Sequence, residues 1–304
     1  MAIYNTGQTA EPAAADQMLD MRPKQTTLQK VRAFVRTKPL GAFSAAIIIL
    51  TILTAVFSGV ISPYDPLDLE HEPFAAPQAG ALLGADELGR DVLSRIIYGA
   101  RVSMYVGLMS VIIGITIGTV IGILSAYVGG VLDLAIQRIV DALMAFPAII
   151  MALGLTAALG PSINNIVAAL VVILAPGAIR VIRSQVLSIK ELDYTLAAQA
   201  IGARPWRIML RHIMPNVIAS YIVLSTITLG LAIIIEASLT FLGVGVSPDI
   251  PTWGGMLTEG AQKYIRTAWW LAVFPGVAIS VVVFAVNFLG DALRDTLDPR
   301  LRGR

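Results

Sequence analysis

Long runs without Lys, Arg, Asp or Glu alternate with short polar segments along this chain. An α-helix needs roughly 20 apolar residues to cross hydrocarbon. Uncharged runs of at least that length occupy 39–64, 102–132, 142–179 and 267–290, and another opens at Ile213 and continues to Ile235. The run at 142–179 is too long for one span, and Gly160-Pro161-Ser162 followed by Asn164-Asn165 breaks it into a tight hairpin of two helices. The pattern predicts an all-α, polytopic membrane protein with six transmembrane helices and both termini on one side. Within the second span Gly107, Gly114, Gly118 and Gly122 recur at spacings of four and seven, which predicts close packing on another helix.

Composition agrees with this pattern. The chain is 56% hydrophobic and 14% charged, with a mean hydropathy of +0.77. An ordinary soluble domain of this length cannot keep so much apolar surface from water, so the lipid bilayer is its expected solvent. The net charge of +2 is uninformative as a total; its distribution is not. Basic residues gather in the amino-terminal tail (Arg22, Lys24, Lys30, Arg32, Arg36, Lys38), between the fourth and fifth spans (Lys190, Arg204, Arg207, Arg211) and in the carboxyl tail (Arg294, Arg300, Arg302, Arg304). The segment 65–91 is mainly acidic, and the hairpin at Pro161 is uncharged. By the positive-inside rule both termini and the central loop are expected to be cytoplasmic.

The expected organisation follows. Residues 1–38 form a cytoplasmic tail with an interfacial helix, 39–64 the first transmembrane helix, and 65–101 an extracytoplasmic segment. Residues 102–290 form the membrane core, including the cytoplasmic loop 190–216, and 291–304 a cytoplasmic tail. In the first tail, 1–17 read as disordered. At 27–36, Leu28, Val31, Phe34 and Val35 share a helical face away from Lys30, Arg32 and Arg36, as in a helix lying in the membrane interface. A long polar tail precedes the first apolar run, which is itself too long for a signal core, so no cleaved signal is expected.

Candidate chemistry is sparse. The absence of cysteine excludes disulfides, thiolate metal sites and a cysteine nucleophile. His71 and His212, the only histidines, fall on opposite predicted sides, so no metal site or cofactor is expected on this chain. No nucleophile, base and oxyanion donor come together, so no residue is assigned as catalytic; nothing points to a nucleic-acid partner. Glu236 is the acid best placed inside a span, where an uncompensated carboxylate costs roughly 2.5–3.5 kcal/mol on insertion scales, so it should face protein or water. Two readings stand: a substrate-pathway group meeting an amine, or a structural hydrogen-bond partner, or neutral acid, near the outer interface. Asp133 with Arg138, and Asp141, are expected to form interhelical ion pairs and span-end anchors. Trp253, Trp269 and Trp270 fit the outer membrane interface.

Two polar segments carry fixed internal spacings. In the central loop, 191–201 reads as a short helix, Gly202 as a turn and Pro205 as the start of a second short helix. Such a prong either merely connects spans or presents a docking surface. In the outer segment, Gly84 and Gly89 have the spacing of a phosphate-binding loop, but Arg90-Asp91 stands where Lys-Ser or Lys-Thr belongs, so this is not a nucleotide site.

Ala197-Ala198, Gly202 and the ending His212-Ile213-Met214-Pro215-Asn216 resemble the cytoplasmic "EAA" loop of permease subunits in ATP-binding-cassette importers, in particular the peptide and nickel branch. Leu196 stands where that pattern has Glu. The run Leu83-Gly84-Ala85-Asp86-Glu87-Leu88-Gly89-Arg90-Asp91, continuing to Tyr98-Gly99-Ala100-Arg101-Val102-Ser103, is similar to a motif of the C-type permease subunit of dipeptide and oligopeptide importers, with Ala85 in place of Thr. Glu236 to Gly245 and Pro251 to Leu257 resemble the same subfamily.

The resemblance implies a type I importer permease fold in the bacterial cytoplasmic membrane. It implies three kinds of partner: a second homologous permease, cytoplasmic ATPase subunits that hold ATP and Mg, and an extracytoplasmic substrate-binding protein. It further implies docking to the ATPase through Leu196, Ala197, Ala198, Gly202, Ala203, Arg204, Arg207 and Pro215. Asp86, Arg90 and Asp91 become candidates for contact with the binding protein, and a structural turn explains them equally well. Peptide, nickel-chelate and glutathione importers share these motifs. A self-sufficient secondary transporter or channel would instead need intramembrane ion-coupling groups or broken-helix repeats.

Overall fold

The computed structural model describes residues 26–247 and 249–297. The expected disorder at 1–17, the basic residues Arg22, Lys24, Arg300, Arg302 and Arg304, and Pro248 lie outside the described residues, as do the side chains of Leu28, Lys30 and Val31. The chain divides into a unit ending at Pro39 and a second running from Leu40 onward. In the first, α1 (Thr27–Thr37) starts from a capping box: the Thr26 hydroxyl accepts from the Gln29 N–H at 3.4 Å, and the Gln29 side chain accepts from the Thr26 N–H at 2.9 Å.

The second unit is helical. α2 (Pro39–Val56) is apolar all round, burying Gly41, Ser44, Ile48 and Ala55 while exposing Phe43, Leu50 and Val56. It ends eight residues before the expected boundary at Tyr64. A short α3 (Ser58–Ile61) follows, and Pro63 holds Ser62 in extended backbone, with ψ 129°, which stops it. α4 (Val92–Val128) begins ten residues before its uncharged run, because Asp91 caps it by accepting from the Ser94 N–H at 2.7 Å. Arg95 and Arg101 therefore ride on the helix, and the loss of charge at Val102 does not mark its start. At 37 residues α4 is about 55 Å long, well beyond the roughly 30 Å of hydrocarbon.

The predicted hairpin is present, but its first arm is broken. α5 (Gly130–Met144) and α6 (Ala148–Leu159) meet at a 92° bend before Pro147. Among the described residues five helices are long and apolar enough to span by themselves, and the number is six if the bent pair is one span. The 12-residue α6 covers only about 18 Å, so the expected third span is the pair and not one straight helix. Gly160, with φ +90°, makes the turn into α7 (Ile163–Lys190), and the Asn165 amide donates to the carbonyls of Leu159 at 2.8 Å and Gly160 at 3.0 Å, closing the end of α6.

The glycine row does what its spacing predicts. A Cβ at Gly118 would lie 2.6 Å from Ala178 Cβ, and one at Gly122 would lie 2.9 Å from the Ile179 carbonyl, so α4 and α7 meet backbone to backbone. Gly107 instead receives Leu229 and Ile233 of α10 (Met214–Phe241). Val282 and Val286 of α11 (Trp270–Leu297) close the same core with Met104 and Ile115.

The expected ion pairs form across helices with partners other than Arg138. Arg183 grips Asp133 in two-pronged fashion at 2.7 and 2.5 Å, and Arg180 reaches Asp141 at 2.5 Å, fixing α5 to α7. Arg138 is 83% exposed and approaches Asp141 only at 4.0 Å.

Candidate functional site

The loop between the fourth and fifth spans is built by a specific helix ending. α8 (Asp193–Ala200) stops at Gly202, whose φ of +77° suits a residue without a Cβ. The Ala203 N–H bonds to the Ala198 carbonyl at 3.0 Å and the Gly202 N–H to the Gln199 carbonyl at 2.9 Å, which together form a Schellman motif. Its accompanying apolar contact joins buried Ala198 to half-buried Ala203 in a cluster with Ile182, Val186, Ile208 and Ile213. The spacing from Ala198 to Gly202 is thus the spacing of a capped helix end, with a small residue inside and a left-handed residue after it.

Two ties hold this prong to the spans. Thr195 is fully buried, and its hydroxyl donates to the Ile189 carbonyl at 3.0 Å, folding α8 back on α7. The Asn216 amide donates to the Tyr194 hydroxyl at 3.2 Å and to the His212 carbonyl at 2.6 Å. The second short helix, α9 (Pro205–Ile208), is not separate: it runs through a π turn at Met209–Ile213 into α10 without a break. Pro215 accounts for the π turn, because it has no N–H for the Arg211 carbonyl and its ring crowds that carbonyl.

The outward surface of the prong carries a row of large apolar side chains. Leu192, Leu196, Ile201, Trp206 and Leu210 are exposed, Ile201 by 86%. Ala197, Gly202, Arg204, Arg207, Arg211 and Pro215 are exposed beside them, while Ala198 is buried. Among the described residues no carboxylate pairs with those three arginines.

The charged turn between the first and second spans is the opposite. Asp86, Arg90 and Asp91 are all buried. One Asp86 oxygen accepts from the N–H groups of Leu88 and Arg90 at 2.9 Å each; the other accepts from the Arg90 Nε at 2.6 Å and lies 3.6 Å from the Arg95 Nε. Asp91 caps α4. As candidates for partner contact these side chains are turned inward, and the structural-turn role accounts for each. Gly89 is fixed by its neighbours as well as by its φ of +87°, since a Cβ there would collide with the His71 carbonyl. Glu259, in the π turn Glu259–Lys263, faces this cluster. Burial, and next the charge of Glu87, hold its carboxyl above the usual carboxylate range, against the opposing pull of Arg95 and Arg90.

Glu236 is fully buried. Its carboxylate accepts from the Ser103 hydroxyl at 3.1 Å and the Thr240 hydroxyl at 3.3 Å, within the packing of α4 on α10. In this chain it faces protein, in the hydrogen-bonded arrangement that the structural reading expects. Two of the tryptophans expected at the membrane interface are also internal: Trp253 Nε1 donates to the Ile96 carbonyl at 3.0 Å and Trp270 Nε1 to the Ala85 carbonyl at 3.1 Å. Only Trp269 of the three is exposed, at 50%.

Apolar helices long enough to span, packed through glycine, with an ordered prong projecting between two of them, define a multi-pass membrane protein. The chain matches the family described as the inner membrane component of binding-protein-dependent transport systems over residues 118–303, and it belongs to that family. It is accordingly a multi-pass inner-membrane permease of the ATP-binding-cassette importer class, with the type I permease fold, and not itself an enzyme. It is 36% identical to a dipeptide transport system permease protein of Alkalihalophilus pseudofirmus over 299 residues, covering 98% of this chain and 96% of the relative. It is 40% identical to a glutathione transport system permease protein of Escherichia coli over 270 residues, 88% and 89% of the two chains. It is 41% identical to a putative peptide transport system permease protein of Brucella suis over 229 residues, 75% and 77% of the two.

Proposed function

We propose that this permease imports short peptides, pairing with a second homologous permease to enclose the path and taking its energy from ATPase subunits that dock on the loop 190–216. The single observation that carries the docking role is the exposed apolar row Leu192, Leu196, Ile201, Trp206 and Leu210 on a prong already tied down by Thr195 and Asn216. A loop that only connected spans would gain nothing from exposing five large apolar side chains to water. Leu196 occupies the place of the family's Glu, so contact at that point is apolar and not ionic, with Arg204, Arg207 and Arg211 supplying charge at the rim. Ala198, Gly202, Ala203 and Pro215 shape the prong, and Ala197 adds to its open surface.

In this reading the loop and both termini are cytoplasmic, as the basic residues favour, and ATP with Mg is held by the ATPase partners. The segment 65–91 then faces the substrate-binding protein, and exposed Leu82 and Leu88, flanking buried Asp86, are its points of contact. The names of the dipeptide and glutathione relatives favour a peptide substrate.

Purification of the tagged chain from its native membrane in mild detergent, with mass spectrometry of what stays bound, tests the proposal. Recovery of a second permease and an ATPase is the expected result. Isolation of the chain alone, from membranes that retain uptake, would overturn it in favour of a self-sufficient transporter.

A further inference from the structure

Five arginines lie between Val92 and Lys190, and four have a carboxylate within 4.0 Å: Arg95, Arg138, Arg180 and Arg183. Arg101 has none among the described residues, and its guanidinium makes no hydrogen bond there either. It is exposed on α4 one residue before the uncharged run begins, at the edge of the hydrocarbon. A free guanidinium at that depth needs either water or an anion. Its neighbour Ser103 turns the other way, to Glu236.

Arg101 opens into a cavity of about 580 Å³ between α4, the turn and helix start at Pro161–Asn164 and the segment after α10. That is the size of a small-ligand site. The polar lining is Arg101, Tyr105, Ser162, Asn164 and Ser247, set among apolar groups such as Ile250. Tyr105 donates to the Asn164 side-chain oxygen at 3.4 Å, which holds two elements of the wall together and leaves the Asn164 amide nitrogen uncommitted. The cavity thus collects a planar fork of donors, hydroxyls and an amide, with no acid among its lining residues. That set suits a carboxylate, which a guanidinium can bind through two parallel hydrogen bonds.

We propose that Arg101 is the carboxylate-recognising group of a receiving pocket at the outer mouth of the pathway, where a peptide's terminal carboxylate is taken up as it leaves the binding protein. The assignment rests on the peptide-importer reading and its orientation, which put the Gly160 turn and the end of α10 outside. Arg101 discriminates substrates by charge at entry, a step separate from the binding protein's own selection.

The test uses the whole importer in phosphatidylcholine vesicles, with its binding protein saturated with radiolabelled dialanine. Wild-type uptake checks the underlying reading; its absence rules out the peptide reading and the assignment together. With wild-type uptake established, Arg101→Gln is expected to lower uptake by roughly tenfold or more, the loss of one charge-assisted hydrogen-bonded contact. Arg101→Lys should fall between the two, and both variants should assemble and keep binding-protein-stimulated ATP hydrolysis near the wild-type rate. Unchanged uptake in Arg101→Gln overturns the proposal. Failure of the variant to assemble, with uptake lost as a result, overturns it too, since the guanidinium would then pair with a partner subunit. A defect seen only in vesicles containing an anionic lipid would instead mark a lipid headgroup site.

Discussion

The buried turn at Asp86 and the exposed prong at Gly202 both carry spacing that stands out in the sequence, yet their chemistry is inverted. The first is crowded with charge, and all of that charge points inward to brace the start of α4. The second lies in the basic loop, but its structural bonds are uncharged backbone, hydroxyl and amide bonds and its outward row is apolar. Charge in a motif is therefore no guide to contact here; burial decides. Polar groups that must be satisfied inside a small turn leave the surface to whatever residues remain between them.

Substitutions can break this contrast at either end. The largest expected effect is Asp86→Ala, which leaves Arg90 and Arg95 without their shared carboxylate and two N–H groups without an acceptor. Loss of one partner from a buried charge cluster costs about 3–5 kcal/mol. Thermal unfolding in mild detergent should show a steep drop, and little protein should accumulate in the membrane; a native-like melting curve would mean the turn stands without this carboxylate.

Gly202→Asp is the matching change in the prong. Nothing lies within 4 Å of the position a Cβ would take, so the fold bears only the left-handed backbone strain of about 1–2 kcal/mol. Uptake should nonetheless be abolished in cells with normal membrane levels of the protein, because a charge then sits on the proposed docking surface; normal uptake refutes the coupling role. Trp206→Ala should act in the same direction more weakly, reducing ATPase co-purification several-fold while stability moves within about 0.5 kcal/mol. Equal recovery of ATPase would remove Trp206 from the interface.

The smallest effect concerns Glu259, which faces Asp86, Glu87, Arg90 and Arg95. Its raised folded value means the folded protein holds a proton that the unfolded chain has already released. Stability must therefore fall as pH rises from the ordinary carboxylate range through that raised value, and level off above it. Melting temperatures followed from the ordinary carboxylate range upward should show this slope in the wild type and a flatter one in Glu259→Gln. Identical slopes would place the titration elsewhere.

Much of the fold was legible because hydrocarbon imposes length: uncharged runs located the spans, and the glycine row marked the contact of α4 with α7. Boundaries were less legible, since charge reports where water begins and not where a helix does; α4 passes that line by ten residues under the cap of Asp91. The break at Pro147 was hidden because an apolar run looks the same whether straight or bent. The partners of Asp133 and Asp141 did have a signal in the chain itself. The two acids lie eight residues apart on one helical face, and Arg180 and Arg183 lie three apart on another, so the two faces carry complementary charge. Trp253 and Trp270 differ from expectation, and Glu236 left two readings open, for a common reason: position along a span gives depth, but not which way a side chain faces.

The helix from Pro205 to Phe241 is one rod of 37 residues, about 55 Å from end to end. Near its far end Gly254 lies against Ala237, where a Cβ on the glycine would come within 2.6 Å of the Ala237 Cα, and Ser103 holds the carboxylate of Glu236. On the proposed docking of an ATPase at the prong, that end serves as a fulcrum. A push on α9 is then carried along the helix as leverage: a swing of about 5° about Glu236 sweeps the prong through roughly 4 Å. On the same proposal, the stroke at the prong depends on how tightly a single buried acid is clasped at the far end of the helix.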